Sequence, residues 1–445
     1  MPHPLTSLIC IICIICGPLP SVAQSWPQFR GPNQDGTSKA TNVPTSWSEE
    51  ENITWKTELP GKGWSSPVVL DDKIWLTTAI ETRPSEAEAQ KLLDETIENP
   101  RHRKSRQIVT NLKLQALCVD LESGKLEKTI DLFTIEVPEA IHTLNSYASP
   151  TPVVEPGRLY CDFGTFGTAC VDTESGEVVW TKDLDLIHSV GPGSSPILIG
   201  NTLVLVRDGV DVQYIIALDK GSGEIMWRTP RPPMDAETGD KKKAYSTPIF
   251  IEHDGRAQLI APTSQWIVSY NLANGEEFWR AYHGTGFSLV PRPVYSPDIG
   301  LVYVCTGFGN PELWAVDPSG SGDVSETHVR WTEPKRIPAK PSPLLHNDNL
   351  YVMEDGGVAT CFNAADGEVI WEERVGGNFS ASPILADDKI YFANHEGITT
   401  VLAAGSEYNV LAENQLDGQI MASPVPLDDS LLIRSDTALY KISSE

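Results

Sequence analysis

Positive charge is scarce in this chain: 34 Lys and Arg stand against 60 Asp and Glu, a formal net charge of -26. A surface of that sign repels nucleic acid and anionic membrane over most of its area, which argues against both as partners. It favours solubility and basic partners. Cysteine chemistry is lacking too. Three of the eight cysteines (Cys10, Cys13, Cys16) sit at the N-terminus, and Cys118, Cys161, Cys170, Cys305 and Cys361 lie in strand-like stretches. With no Cys-x-x-Cys and no adjacent pair, neither a disulfide framework nor a zinc site is indicated, and these five read as small core residues. No Ser-His-Asp, zinc or phosphate-loop motif is present, nor any long low-complexity stretch. The only sustained apolar run, residues 5–16, is twelve long, short for a membrane span and right for a signal-peptide core. Ser21-Val22-Ala23 then supplies a small-x-small cleavage site. The expectation is a signal peptide over 1–23, a mature chain from Gln24 with no membrane span, and export to the periplasm or envelope, with secretion as an extension. The n-region lacks Lys and Arg, and Cys16 lacks the small preceding residue that lipidation prefers.

What is present is a period. A Ser/Thr-x-Pro-like lead-in to an apolar strand recurs at Pro67, Pro150, Pro196, Pro248, Pro293, Pro343, Pro383 and Pro424, at spacings of 83, 46, 52, 45, 50, 40 and 41 residues. Short strands repeating every forty-odd residues are the signature of propeller blades. The third unit shows four: Pro196-Ile-Leu-Ile, Thr202 to Val206, Tyr214 to Asp219, and Ile225-Met-Trp227 after a Gly223 turn. Their β-branched content and Asn/Asp-Gly turns fit strands, and no 3.6-residue stripe spans them. Trp180, Trp227, Trp279 and Trp371 each follow a turn glycine by four residues. Cys118, Cys170, Ala217, Ser269, Ala315 and Cys361 sit two before the Asp or Asn of the third strand. A large indole with a small slot nearby suits packing between blades, so these tryptophans, with Trp55, read as core. The last unit supplies only three strands after Pro424. The missing fourth is available in Asn52-Ile-Thr-Trp55-Lys-Thr, and pairing the two would close the ring. The fold expected over 24–445 is therefore all-β, a single eight-bladed propeller of four-stranded antiparallel blades closed by an N-terminal strand.

The Ala-x-Asp-x-x-x-Gly-x-x-x-Trp repeat, intact from Ala217 to Trp227, resembles the tryptophan-docking motif of the pyrroloquinoline-quinone-like propeller repeat superfamily. That superfamily includes quinoprotein alcohol dehydrogenases and BamB-type propellers. Trp26-Pro-Gln-Phe-Arg30-Gly-Pro-Asn-Gln-Asp-Gly36 further resembles the start of exported planctomycete proteins with these repeats. The resemblance implies fold strongly and chemistry weakly. A quinone enzyme of this kind encloses a planar tricarboxylate, usually on calcium, with a carboxylate base and often beneath a vicinal disulfide. No two cysteines are adjacent in this chain. The expectation is an exported, non-catalytic BamB-like binding scaffold, probing an envelope protein or small ligand as a monomer, without catalytic residues, metal or cofactor. The alternative is a quinone- and calcium-dependent alcohol or sugar dehydrogenase.

In such blades the loops joining strands two and three share one face with the inter-blade loops, and the tight Asp-Asp-Lys and Ser-Gly-Glu turns lie on the other. Nearly every irregular insertion falls on the first face, so function is expected there. Candidate ligand-binding residues on it are His142, Asn145, His188, Asp208, Asp211, Gln213, Trp266, His283, Asn310, Glu354, Asp355, His395 and Arg434. The alternative is that they cap strand ends and line a wet pore. Asp208 and Asp211 offer oxygens, but no EF-type loop surrounds them. The longest insertion, 81–111 in blade 1, carries a capping box at Ser85 to Glu88 and a helix expected to about Ile97. The basic run after it (Arg101, Arg103, Lys104, Arg106) is a candidate docking site for an acidic partner, or else pairs with Glu86, Glu88, Asp94, Glu95 and Glu98.

Overall fold

A computed structural model describes residues 25–284 and 286–444; the expected signal peptide and the Cys16 alternative lie outside the described residues. Eight sheets, each built on four antiparallel strands, follow one another along the chain, over 68–136, 153–182, 197–230, 249–282 (extended by a fifth, parallel strand from blade 5), 294–333, 344–374, 384–415 and 425–443. The eighth takes its outer strand from Ile53–Glu58, which pairs with Ala438–Ser443 in the register Ile53↔Ile442 to Glu58↔Ala438. The two segments are thereby joined as expected, and the edge of Ala438–Ser443 is covered. One lead-in shifts: the proline that opens blade 2 in register with the others is Pro152, ahead of the strand Val153–Glu155, and not Pro150.

Each docking tryptophan faces a small residue across its own sheet, Cys170↔Trp180, Ala217↔Trp227, Ala315↔Trp331 and Cys361↔Trp371, with a bulge just beyond. The bulge turns the indole toward the next blade. There Trp180 Nε1 donates to Lys220 O (3.0 Å), Trp227 to Leu272 O (2.9 Å) and Trp331 to Ala364 O (3.2 Å). The ring lies on the next turn's glycine. Gly223 has φ +72°, and a Cβ on it would come within 2.8 Å of Trp180. Glycine therefore serves both the left-handed turn and the close approach. The seam follows the same rule, since Trp55 Nε1 donates to Leu121 O at 3.2 Å. Trp331 is a docking residue that the constant glycine spacing missed. Trp279 is an exception. It is wholly buried and donates to Gln258 Oε1 within its own blade (2.9 Å), because Gly322–Asp323, from an insertion in blade 5, pairs in parallel along Trp279 and Arg280.

The blade 1 insertion forms helix α1 (Glu86–Thr96), N-capped by Ser85 through the Glu88 N–H, and a short helix α2 (Pro100–Arg103). It is anchored. Leu93, Ile108 and Ala140 make a small core, and Arg106–Gln107 pairs with Ile141–His142.

Candidate functional site: a channel closed at one end

The innermost strand of each blade runs from the irregular face to the tight-turn face, so the residues just before these strands ring the upper channel. Seven of them carry a hydroxyl and are stitched blade to blade. The N–H of Ser66 donates to Thr151 Oγ1 (2.9 Å), Thr151 to Ser195 Oγ (2.9 Å), and Ser195 to Thr247 Oγ1 (2.9 Å). Arg292 donates to Ser342 Oγ (2.9 Å), Ser342 to Ser382 (3.0 Å), Ser382 to Ser423 (3.0 Å), and Ser423 back to Ser66 (3.1 Å). The hydroxyls thus satisfy buried backbone amides that no strand partner reaches. The eighth position is Arg292, which interrupts the ring after Thr247.

Below the ring the channel is filled by residues 26–38. Trp26 exchanges backbone hydrogen bonds with Val69 in blade 1 (2.9 and 2.8 Å). Pro27 O accepts from Val154 in blade 2 (2.9 Å), and Gly36 O from Leu385 in blade 7 (2.9 Å). Gln34 Oε1 accepts from Phe250 N in blade 4 at 3.1 Å. Arg30 reaches Pro343 O (2.7 Å) and Pro383 O (3.2 Å) in blades 6 and 7. Arg292 of blade 5 donates to Phe29 O, Gln34 Oε1 (2.8 Å) and Pro248 O (2.9 Å). Gly31, at φ +78°, lies under the Trp26 indole, which a Cβ would meet at 2.7 Å. Arg30, Arg292 and the blade 8 Arg434 are all buried with carbonyl acceptors; burial lowers their pKa values to about 10, 9 and 9. Arg434 donates to Ser65 O (2.9 Å) and Thr77 O (3.0 Å).

Between this plug and the irregular face lies a cavity of about 520 Å³, within the size range of small-molecule sites. Phe29 forms part of its lining from the plug side, with the hydroxyl ring around it and Trp64, Leu144, Phe287, Phe308 and Met421 as apolar wall. Lys243, Lys340 and His142 also line it, and among the described residues no Asp or Glu does. The lysines' carboxylate partners stand behind the wall: Asp240 for Lys243, and Asp355 for Lys340 at 3.5 Å. His142 Nδ1 accepts from Leu144 N at 3.1 Å. Burial, then Arg106, Lys340 and Lys243, lower its pKa, so the ring is neutral at pH 7 with its proton on Nε2.

Of the sequence-derived candidates, only His142 and Asn145 reach this cavity. Asn145 is spent on structure. Its Nδ2 donates to Val190 O (2.9 Å) and Pro192 O (3.1 Å), and its Oδ1 accepts from Ser146 N (2.8 Å). Asp208 is buried against Arg231, two bonds of 3.0 and 2.9 Å holding the pair. Asp211 accepts from Ile187 N, and Gln213 donates to Gly209 O, both at 2.8 Å. Trp266 stacks edge-on with Tyr282 and donates to Pro233 O. His188 is buried against Gly164 with no partner on either ring nitrogen, and burial lowers its pKa to about 3. His283 bonds Thr263 O and His395 bonds Ser380, and burial lowers both to about 4. Asp355 caps the Ala339 and Lys340 amides, Glu354 is half-buried, and Asn310 is exposed next to the loop carrying Phe308. In the basic run, Arg103 is tied to Asp94 at 2.8 Å and Arg106 to Ser189 at 3.4 Å; Arg101 and Lys104 stay exposed. The hydroxyl ring, Lys243, Lys340 and the plug were missed. The ring had a signal, the Ser or Thr before seven of the eight prolines.

The family model for outer membrane protein assembly factor BamB matches residues 82–229, 118–335 and 263–421, more than half of the chain. A BamB from Moranella endobia (strain PCIT) is 21% identical over 243 residues, 54% of this chain and 58% of that protein, so the chain spans less than two thirds of its relative's length. BamB from Moraxella catarrhalis superposes with a TM-score of 0.57 at 12% identity, over 88% of this chain and 97% of that one. The quinohemoprotein alcohol dehydrogenase ADHIIG from Pseudomonas putida HK5 does so at 0.62 and 11%, over 94% and 80%. At these identities the superpositions speak for the fold alone. Repeat, ring closure and family match agree: the chain belongs to the BamB family of pyrroloquinoline-quinone-like β-propellers.

Proposed function

We propose that the chain is an exported, non-catalytic scaffold that docks an envelope protein on its irregular face, in the manner the BamB name implies for its relatives. The observation that carries this reading is the makeup of that face. Val137, Leu144, Ile187 and Phe308 are 50%, 49%, 48% and 38% exposed on non-repeating loops, and Leu144 and Phe308 also line the cavity. Anchored loops with unpartnered apolar side chains offer a preformed contact surface at little ordering cost. No helix among the described residues is long and apolar enough to cross a membrane.

A second reading, quinone-dependent oxidation, has the cavity in its favour but not the donor set. A calcium-held tricarboxylate needs oxygen ligands and the reaction needs a carboxylate base, and the wall supplies lysines and hydroxyls instead. Among the described residues no three His, Cys, Asp or Glu cluster as a metal site. The residues do not fit that group. The test is capture from the envelope of the source organism by the full chain and by a Leu144→Ser/Phe308→Ser variant. One protein captured stoichiometrically by the first and lost from the second supports docking on this face. Dye reduction by an alcohol after loading with quinone and calcium would replace this reading with the second.

A further inference from the structure

The cavity wall is rich in donors and, among the described residues, holds no carboxylate. Ser66, Thr151, Ser195, Thr247 and Ser423 each use an oxygen lone pair to accept a neighbouring blade's amide. Among the described residues nothing in the protein accepts their hydroxyl protons. The oxygens of this ring face the same cavity as Lys243, which is 6% exposed, and Lys340. His142 adds an Nε2–H, since its Nδ1 is an acceptor. Among the described residues the one side-chain amide carbonyl in the wall, Asn145 Oδ1, is already taken by Ser146 and Ser149. Unpaired hydroxyl donors in a partly enclosed site favour a ligand that brings acceptors, and the two ammonium groups, whose partners Asp240 and Asp355 do not line the cavity, favour an anionic one. Apart from Ser149, Ser288 and Ser380, the rest of the wall is largely aromatic or aliphatic, from Phe29 at the plug to Trp64, Phe287 and Phe308 higher up. Since residues 26–38 close the far end, no chain can thread through, and the part of an occupant held inside is limited to about 520 Å³.

We propose that this cavity binds a small organic carboxylate with an apolar body, without a metal ion, its carboxylate against Lys243, Lys340 and the hydroxyl ring. The site goes beyond the docking reading and does not depend on it.

The test is titration calorimetry of the full chain with octanoate, and with octan-1-ol and octylammonium as the neutral and cationic matches, in EDTA and then in calcium. Octanoate should bind once per chain, at least about tenfold more tightly than either match, and equally in both buffers, a charge-assisted hydrogen bond being worth about that factor or more. Lys340→Met, at the half-exposed position, should weaken octanoate about tenfold with little change in octan-1-ol binding, and Lys243→Met likewise if its melting curve stays cooperative. No octanoate binding, equal affinity for the three probes, indifference to Lys340→Met, or a requirement for calcium would each overturn the proposal.

Discussion

The two ends of the central channel are lined by the same eight innermost strands, yet they are finished in opposite ways. At the tight-turn end the chain supplies its own occupant. Most of the donors there are paired inside the protein, Arg30 and Arg292 being spent on carbonyls of the plug and of blades 4, 6 and 7, although among the described residues Gln28 Oε1 and Arg30 Nε have no partner. At the irregular end the hydroxyls bind the amides but keep their protons, and two lysines stand in the wall with their carboxylates behind it. Arg292 marks the change. It occupies a hydroxyl position of the upper ring but sends its side chain down to the plug. The comparison teaches that a repeat scaffold becomes a site where the repeat is broken, here by one residue in eight and by a non-repeating N-terminal segment.

The largest expected effect comes from removing the closed end altogether. A chain starting at residue 59 lacks both the plug and the outer strand of blade 8, and should lose its cooperative denaturant transition; a chain starting at 39 keeps the strand and should retain one, at a lower midpoint. Next is the docking that holds both ends in register. Trp227→Ala should cost about 3–5 kcal/mol in denaturant unfolding at unchanged m-value, through the cavity it leaves. A loss below about 1 kcal/mol would mean that the indole does not carry the blade 3–blade 4 contact.

The smallest effect separates the ends by pH. His188 and His283, both on the irregular side, have folded pKa values lowered by burial to about 3 and 4, from an ordinary value near 6.5. The unfolded chain therefore binds more protons, and stability falls as pH drops from about 6.5 toward 4, at no more than roughly 1.4 kcal/mol per pH unit for each histidine. In His283→Gln the slope should be shallower between pH 6.5 and 5. Hydrogen exchange at pH 5 should rise first in the irregular loops. An unchanged slope would show that this histidine protonates without cost in the folded state.

How much of this was legible depended on the range of the contact. Blade number, the seam between Ile53–Glu58 and Ala438–Ser443, and helix α1 are written in local patterns of proline, β-branched residues and caps. Proline and hydroxyl also announced the upper ring, but Ser195 or Thr247 in isolation reads as the start of a strand, and only closure of the ring brings it to a neighbour's amide. The plug left less trace. Its bonds run through backbone carbonyls to residues such as Pro343 and Leu385, more than 300 positions away. Choosing site residues by polarity misled where the polar group was paired inside the protein. Asp208 found Arg231 and Arg434 found Ser65, whereas Lys340, in a loop of no special pattern, lines the cavity.

Amide exchange of Val69, Val154 and Leu385, measured at pH 7 in the full chain and in a chain starting at residue 39, tests the closed end most directly. The account predicts exchange as slow as global unfolding in the first and at least about a hundredfold faster in the second, through loss of the bonds to Trp26, Pro27 and Gly36. Equal protection in both chains would contradict it, since the channel would then be sealed without the plug.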